Sequence, residues 1–429
     1  MSFQKHEGGE IQMEKTMFHP HSPEFHENPF AVLSRFREQD PIHKFELQRF
    51  GGTFPAWLIT RYDDCMAFLK DGRITRDVKR VMPKELIAKL NVSEDIDFVS
   101  EHMLAKDPPD HSRLRSLVHQ GFTPRMIEQL RTGIEQITEE LLDEMETKAD
   151  PDIMRDFAAP LPFIVISELL GIPKEDRAKF QVWTNAMVDT SESGQDATNQ
   201  ALKEFKQYMK TLIEEKRKHP GEDLTSKLIY AEEDGQKLSE SELYSMLFLL
   251  VVAGLETTVN LLGSGTLALL LHKDQMEKIK RQPENIQTAV EELLRYTSPV
   301  IMMANRWAIE DFTYKDVSIK KGDMIFIGIG SANRDPEYFD DPDTLNIART
   351  PNRHISFGFG IHFCLGAPLA RMEASIAFTA LLKRFPNIEL KGAAEDVTWR
   401  KNVFLRGLKH CLSDFNIAPL FFGGFFNVL

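Results

Sequence analysis

The sequence predicts a mainly α-helical fold with small β-sheets. Helical patterns run with little interruption over residues 124–219. A Ser239-x-x-Glu242 capping box opens an apolar stretch that reaches residue 271. Runs of β-branched and aromatic residues are confined to short segments near 45–60 and 312–329.

Taken in order, residues 29–39 form a short amphipathic helix opened by Pro29 and closed by Asp40-Pro41. Gly51-Gly52 between the runs 45–50 and 53–60 is a hairpin signature. A helix over 62–69 carries Cys65, whose expected role is packing. Residues 71–105 have no sustained period, and a long irregular segment inside a compact chain reads as a lid or binding loop. Pro108-Pro109 starts a helix. Helices over 161–171 and 176–188 are separated by the stop Gly171-Ile172-Pro173, followed by a polar loop over 191–198 and a charged helix over 200–216. After the long helix 240–271 come a helix over 286–295, ended by Ser298-Pro299, and an extended segment 300–309. The segments 312–319 and 324–329 are expected to form a hairpin about Lys321-Gly322-Asp323. A helix over 369–385 and a strand at Val403-Phe404-Leu405 complete the chain.

Among the 429 residues, Lys plus Arg number 52 and Asp plus Glu 65, so the formal charge is 52 − 65 = −13. That balance argues against nucleic acid as a partner, because phosphate binding needs a basic face. Three widely spaced cysteines, Cys65, Cys364 and Cys411, suggest a reducing compartment with no disulfide framework. Residues 1–14 contain no apolar run that could act as a signal or anchor, so a cytoplasmic protein is expected. Residues 246–271 are apolar enough to suggest a membrane span, but Glu256 and three glycines favour a core helix, and no integral membrane contact is expected. The expected organisation is a polar tail over 1–18, one domain over 19–410 and an apolar tail over 411–429.

Chemistry concentrates in residues 357–366. Cys364 stands among Gly358, Gly360 and Gly366, ahead of Ala367-Pro368, so a tight loop enters a helix at the sulfur. Free N–H groups and the positive end of the helix dipole there are expected to lower the thiol pKa and make the sulfur a metal ligand. A zinc site from His354, His362 and Cys364 lacks a nearby fourth ligand and any C-x-x-C pair. On the central helix, Glu256-Thr257 follows Gly254 in an apolar setting; such a pair costs several kcal/mol if unpartnered, so it is functional or hydrogen-bonded. His111 and Arg115, four apart, project from one helix face and suit either an anionic ligand or solvent. Glu292 and Arg295 sit at i and i+3, where an exposed pair contributes ~0.3–0.5 kcal/mol.

The loop Phe357-x-x-Gly360-x-His362-x-Cys364-x-Gly366 resembles the haem-binding loop of the cytochrome P450 family. Ala253-Gly254-Leu255-Glu256-Thr257 resembles that family's oxygen-activation motif, and Asp107-Pro108-Pro109-Asp110-His111 through Arg115 its bacterial propionate-binding stretch. The resemblance runs from about residue 29 to 408 and is greatest to soluble bacterial members that tailor polyketides.

It implies a single-domain P450 fold, with haem b between the long central helix and the cysteine-loop helix. Cys364 would be the axial thiolate and iron ligand, and His111, Arg115, Arg306 and His354 would bind the propionates. Glu256 and Thr257 would relay protons, and Glu292, Arg295 and Arg349 would form a structural lock. Leu249, Ala253, Ile301, Met302, Val403 and Phe404, with the segment 71–105, would meet an apolar substrate such as a polyketide. Such a monomeric monooxygenase hydroxylates or desaturates a C–H site. Since no flavin or nicotinamide fingerprint occurs in the chain, electrons would come from a separate ferredoxin or flavodoxin with its reductase. A peroxide-driven enzyme would normally lack the acid–alcohol pair, and a haem sensor or carrier would not need a lid over an apolar pocket.

Overall fold

The central helix Glu240–Leu271 begins on the expected capping box: Ser239 Oγ accepts from the Glu242 N–H at 3.2 Å, and the Glu242 carboxylate accepts from the Ser239 N–H at 2.8 Å. It is a core helix. Although long and apolar enough to cross a membrane, it has 67% of its most apolar window buried inside the protein. Gly263 and Gly265 let neighbours approach closely. A Cβ on Gly263 would stand 2.1 Å from Met154 Sδ, and one on Gly265 2.7 Å from Phe378 Cζ on the helix Ala367–Arg384. Midway along this buried element, Ala253 and Gly254 are nonetheless exposed.

The computed structural model describes residues 17–49, 52–82, 98–188 and 190–415. Helices Asp110–Gly121, Arg131–Glu146, Pro160–Leu170, Ile286–Thr297 and Ala367–Arg384 surround the central helix and share one large apolar core with it. Beside them lies a five-stranded sheet of β1 (Ile42–Arg49), β2 (Gly52–Ile59), β3 (Ile74–Thr75), β4 (Trp307–Ala308) and β5 (Met324–Ile327), in the order β1-β2-β5-β4-β3. The hairpin β1–β2 runs from Ile42 opposite Ile59 to Arg49 opposite Gly52, while β2 and β5 are parallel. Two smaller apolar clusters cover the two sides of this sheet.

Several expectations change. The hairpin beginning at Phe312 turns at Lys315, which adopts φ 51°, and pairs Phe312–Tyr314 with Val317–Ile319. Met324–Ile327 joins the main sheet instead, because Asp323 is held inward, accepting from Trp57 Nε1 at 2.7 Å and from the Lys320 N–H at 3.0 Å. Much of the expected loop 191–198 lies within the helical element Thr190–Lys218, interrupted where Gly194 leaves helical geometry at φ 73°. Residues 403–405 form no regular strand; Phe404 O accepts from the Ile301 N–H at 2.8 Å, and Leu405 bridges Val300.

The folded unit also exceeds the expected domain. Phe18 is buried against Phe25, Phe36 and Phe45. At the other end Leu412 pairs with Asp152, and Ser413–Asp414 pairs with Glu389–Leu390. Residues 1–16, 50–51, 83–97, 189 and 416–429 lie outside the described residues, and with them most of both tails and part of the expected lid.

Candidate functional site

The exposed middle of the central helix faces a cavity of about 270 Å³. Leu249, Ala253, Gly254 and Thr257 form one wall, and Phe357, Phe363 and Cys364 the opposite one. His111 and Arg115 enter from the helix Asp110–Gly121. Pro299, Val300 and Met303 line a third side. The expected Ile301 and Met302 turn the other way, into the apolar cluster beneath the sheet, where Ile301 Cδ1 meets Gly330. Val403 is buried in the same cluster, and Phe404 stacks on Phe326 at 6.2 Å.

Cys364 follows a 3₁₀ turn, Gly360–His362, and its N–H donates to Phe357 O at 2.9 Å. Gly358 and Gly360 take φ 70° and 73°, which the reversal of the loop requires. Contrary to the expectation of a lowered pKa, burial pushes the Cys364 thiol up, against the pull of the Gly366 and Ala367 amides, Arg115 and Arg371. Desolvation outweighs the helix end, so ionisation of this sulfur calls for a metal cation as its partner. Among the described residues no cluster of three His, Cys, Asp or Glu could hold an ion. A metal at Cys364 must therefore bring most of its other ligands with it.

A crowd of basic groups stands beside the loop. Arg306 is 5% exposed and among the described residues has only a 3.5 Å contact to Ala304 O; burial and the Arg76 charge depress its pKa strongly. Among the described residues neither ring nitrogen of the buried His111 makes a well-formed hydrogen bond, with only the Ile361 backbone acting weakly on it, and its ring stands 4.5 Å from that of His362. Burial, then Arg76, His111, Arg306 and Arg115, push His362 down to about 2. Arg76 donates to Leu104 O at 2.6 Å; burial lowers its pKa to about 10, and the Asp107 charge pulls it the other way. So much buried positive potential with so little opposing charge is a site for a dianion. Two propionates on an otherwise apolar, flat macrocycle fit this crowd and the cavity beside it. His354 differs: its Nε2 pairs with Glu291 at 3.1 Å, and Arg371 grips the same carboxylate at 2.6 and 2.8 Å. It is therefore already paired with a carboxylate, which among the described residues is not so of the other three expected propionate ligands.

On the opposite wall Thr257 Oγ1 donates to Ala253 O at 2.7 Å. Glu256, one residue back, is 7% exposed and has Arg400 Nη1 at 3.8 Å. Glu373, not singled out from sequence, is buried at the cavity wall, and burial raises its carboxyl to about 8. Arg76 was missed because it lies in the aperiodic segment 71–105, where nothing local distinguishes it from the neighbouring charges.

Beneath the loop, Glu292 and Arg295 are fully buried, not the exposed pair the spacing allowed. Arg295 Nε and Nη2 donate to the Glu292 carboxylate at 2.8 Å each, and its remaining N–H groups to the carbonyls of Asn333, Pro342 and Thr344. Arg349 Nε adds bonds of 3.1 and 3.2 Å to Glu292.

Comparison with known proteins gives a consistent answer. The family model described as Cytochrome P450 matches residues 75–406. The chain is 76% identical over 397 residues to the polyketide biosynthesis cytochrome P450 PksS of Bacillus subtilis (strain 168), covering 92% of this chain and 98% of that protein. It is 40% identical over 394 residues to the 6-deoxyerythronolide B hydroxylase of Saccharopolyspora erythraea, covering 91% of this chain and 96% of that protein. The solved structure of the Bacillus subtilis bacillaene polyketide synthase cytochrome P450 PksS superposes with a TM-score of 0.88 at 72% identity, over 93% of this chain and all of that one.

Proposed function

The chain belongs to the cytochrome P450 family and is a haem-thiolate monooxygenase, and from that premise we propose that it desaturates a C–H site of a bacillaene-type polyketide, converting dihydrobacillaene to bacillaene. The observation that carries the reading is one cavity with a lone cysteine loop on one wall and Thr257 on another, Glu256 being the residue before it on the same helix; likeness to the Bacillus subtilis polyketide enzyme supports the substrate class. Haem bound on a cysteine thiolate supplies reductive activation of dioxygen and oxidation of an unactivated carbon.

The protein's own residues do the rest. Cys364 Sγ, steadied by the Gly366 and Ala367 amides, would hold the haem iron. Arg306, Arg115, Arg76 and His111 would balance the propionates, while His354 is paired with Glu291. Thr257 Oγ1 passes protons at the cavity wall, and the Glu256 carboxyl behind it takes them from the solvent side. Leu249, Ala253, Val300 and Met303 exclude water and hold an apolar chain. Electrons come from a separate ferredoxin or flavodoxin with its reductase, and the enzyme works as a cytoplasmic monomer.

The test is turnover of dihydrobacillaene by the haem-loaded enzyme with a surrogate ferredoxin and its reductase. The expected product lacks two hydrogen atoms; a hydroxylated product, or none, overturns the assignment. With Thr257→Ala the expected result is NADPH oxidation that yields peroxide in place of product, and unchanged coupling would remove the relay.

A further inference from the structure

The segment that follows Trp399 touches the central helix at two polar points. Arg400 Nη1 lies 3.8 Å from Glu256 Oε1. One helical turn on, the fully buried Asn260 faces Gly407, where a Cβ would come within 1.9 Å of Asn260 Oδ1. Between these points the chain turns back on itself: the Arg400 N–H donates to Gly407 O at 2.9 Å, and Trp399 bridges Leu408. The same turn carries Val403 and Phe404, with Phe404 O accepting from the Ile301 N–H at the edge of the cavity wall.

We infer that Arg400 is the positioning residue for the proton relay, holding the Glu256 carboxylate behind Thr257 and linking it to the turn that bears Val403 and Phe404. This rests on the reading of Glu256-Thr257 as the relay. The separation is too long for a well-directed N–H···O bond, so the guanidinium holds the carboxylate by charge and can release it. Exposure supports the direction of supply. The Glu256 side chain is 9% exposed and that of Arg400 34%, so the pair leads from a buried acid toward water. Without the cation, Glu256 loses one of the groups that hold its carboxylate behind Thr257, and protons reach Thr257 less often than electrons arrive.

A double-mutant cycle tests the inference on the holoenzyme with a surrogate ferredoxin and its reductase, reading product formed per NADPH consumed. Glu256→Gln is expected to lower this ratio about 10-fold, and Arg400→Gln about 3- to 10-fold. The double variant should be no worse than Glu256→Gln alone, because Arg400 acts only through that carboxylate. Arg400→Lys should restore most of the ratio. Substrate affinity, read from the substrate-induced shift of the haem spectrum, should be unchanged in Arg400→Gln, which a mere collapse of the turn would alter. Additive losses, failure of Lys to rescue, or a changed affinity would overturn the positioning role while leaving the relay intact. An unaffected Glu256→Gln would instead remove the relay, and the role of Arg400 with it.

Discussion

Arg295 and Arg306 are both buried, one on each side of the Ser298-Pro299 break, yet they are treated in opposite ways. Arg295 is surrounded by acceptors: the Glu292 carboxylate and three backbone carbonyls take its N–H groups, and Arg349 shares the same carboxylate. Arg306 has one long contact to a carbonyl and other cations for company. A buried charge whose partners belong to the chain holds the chain together. A buried charge that lacks them awaits a ligand, and the cost of its burial in the protein alone is recovered when that ligand binds.

The difference can be tested from either side. Glu292→Gln should cost the most, about 3–5 kcal/mol, since it leaves two arginines without their carboxylate. Urea unfolding should show the loss in the haem-free and haem-loaded protein alike; a loss confined to the loaded form would erase the distinction.

Glu291, next to that knot, gives a smaller effect with a pH signature. Burial pushes its carboxyl up, but hydrogen bonds from Arg371 and His354 overcome this and bring it to about 2. Because the folded pKa lies below the ordinary 4.5, the stabilisation is full above that pH and is lost as pH falls through about 2. Solvent screening of this partly exposed cluster reduces its size to about 1 kcal/mol. The stability gap between wild type and Glu291→Gln should therefore narrow steadily below pH 4.5, and a constant gap would show that the carboxylate is not held by charge.

Arg306→Gln should behave in the opposite sense. Haem should transfer to apomyoglobin about 10-fold faster, while the haem-free protein should be unchanged or more stable by about 1 kcal/mol, because like charges have been thinned. Arg76→Gln should follow the same pattern more weakly, since Asp107 already offsets part of its charge. Destabilisation of the haem-free protein by either substitution would move these arginines into the structural class.

The legible parts share one property. Cys364 with its glycines, Glu256-Thr257 in an apolar helix, Ser239 with Glu242, and His111 with Arg115 are each defined within a few residues, by spacing and by the conflict between a polar group and its setting. Such local features determined the fold class and singled out Cys364, Glu256, Thr257, His111 and Arg115 as the candidate thiolate, acid, alcohol and propionate partners. Tertiary structure decided what depends on groups distant in the chain. It buried Glu292 and Arg295, whose spacing alone suited an exposed pair, and it brought Arg76 into the cationic crowd and Arg400 to Glu256. It also turned Ile301 and Met302 away from the cavity, gave His354 to Glu291, and let desolvation outweigh the helix end at Cys364. The reason is physical: burial and the sum of surrounding charges are properties of a place in the folded molecule, and only the packing of remote segments fixes them.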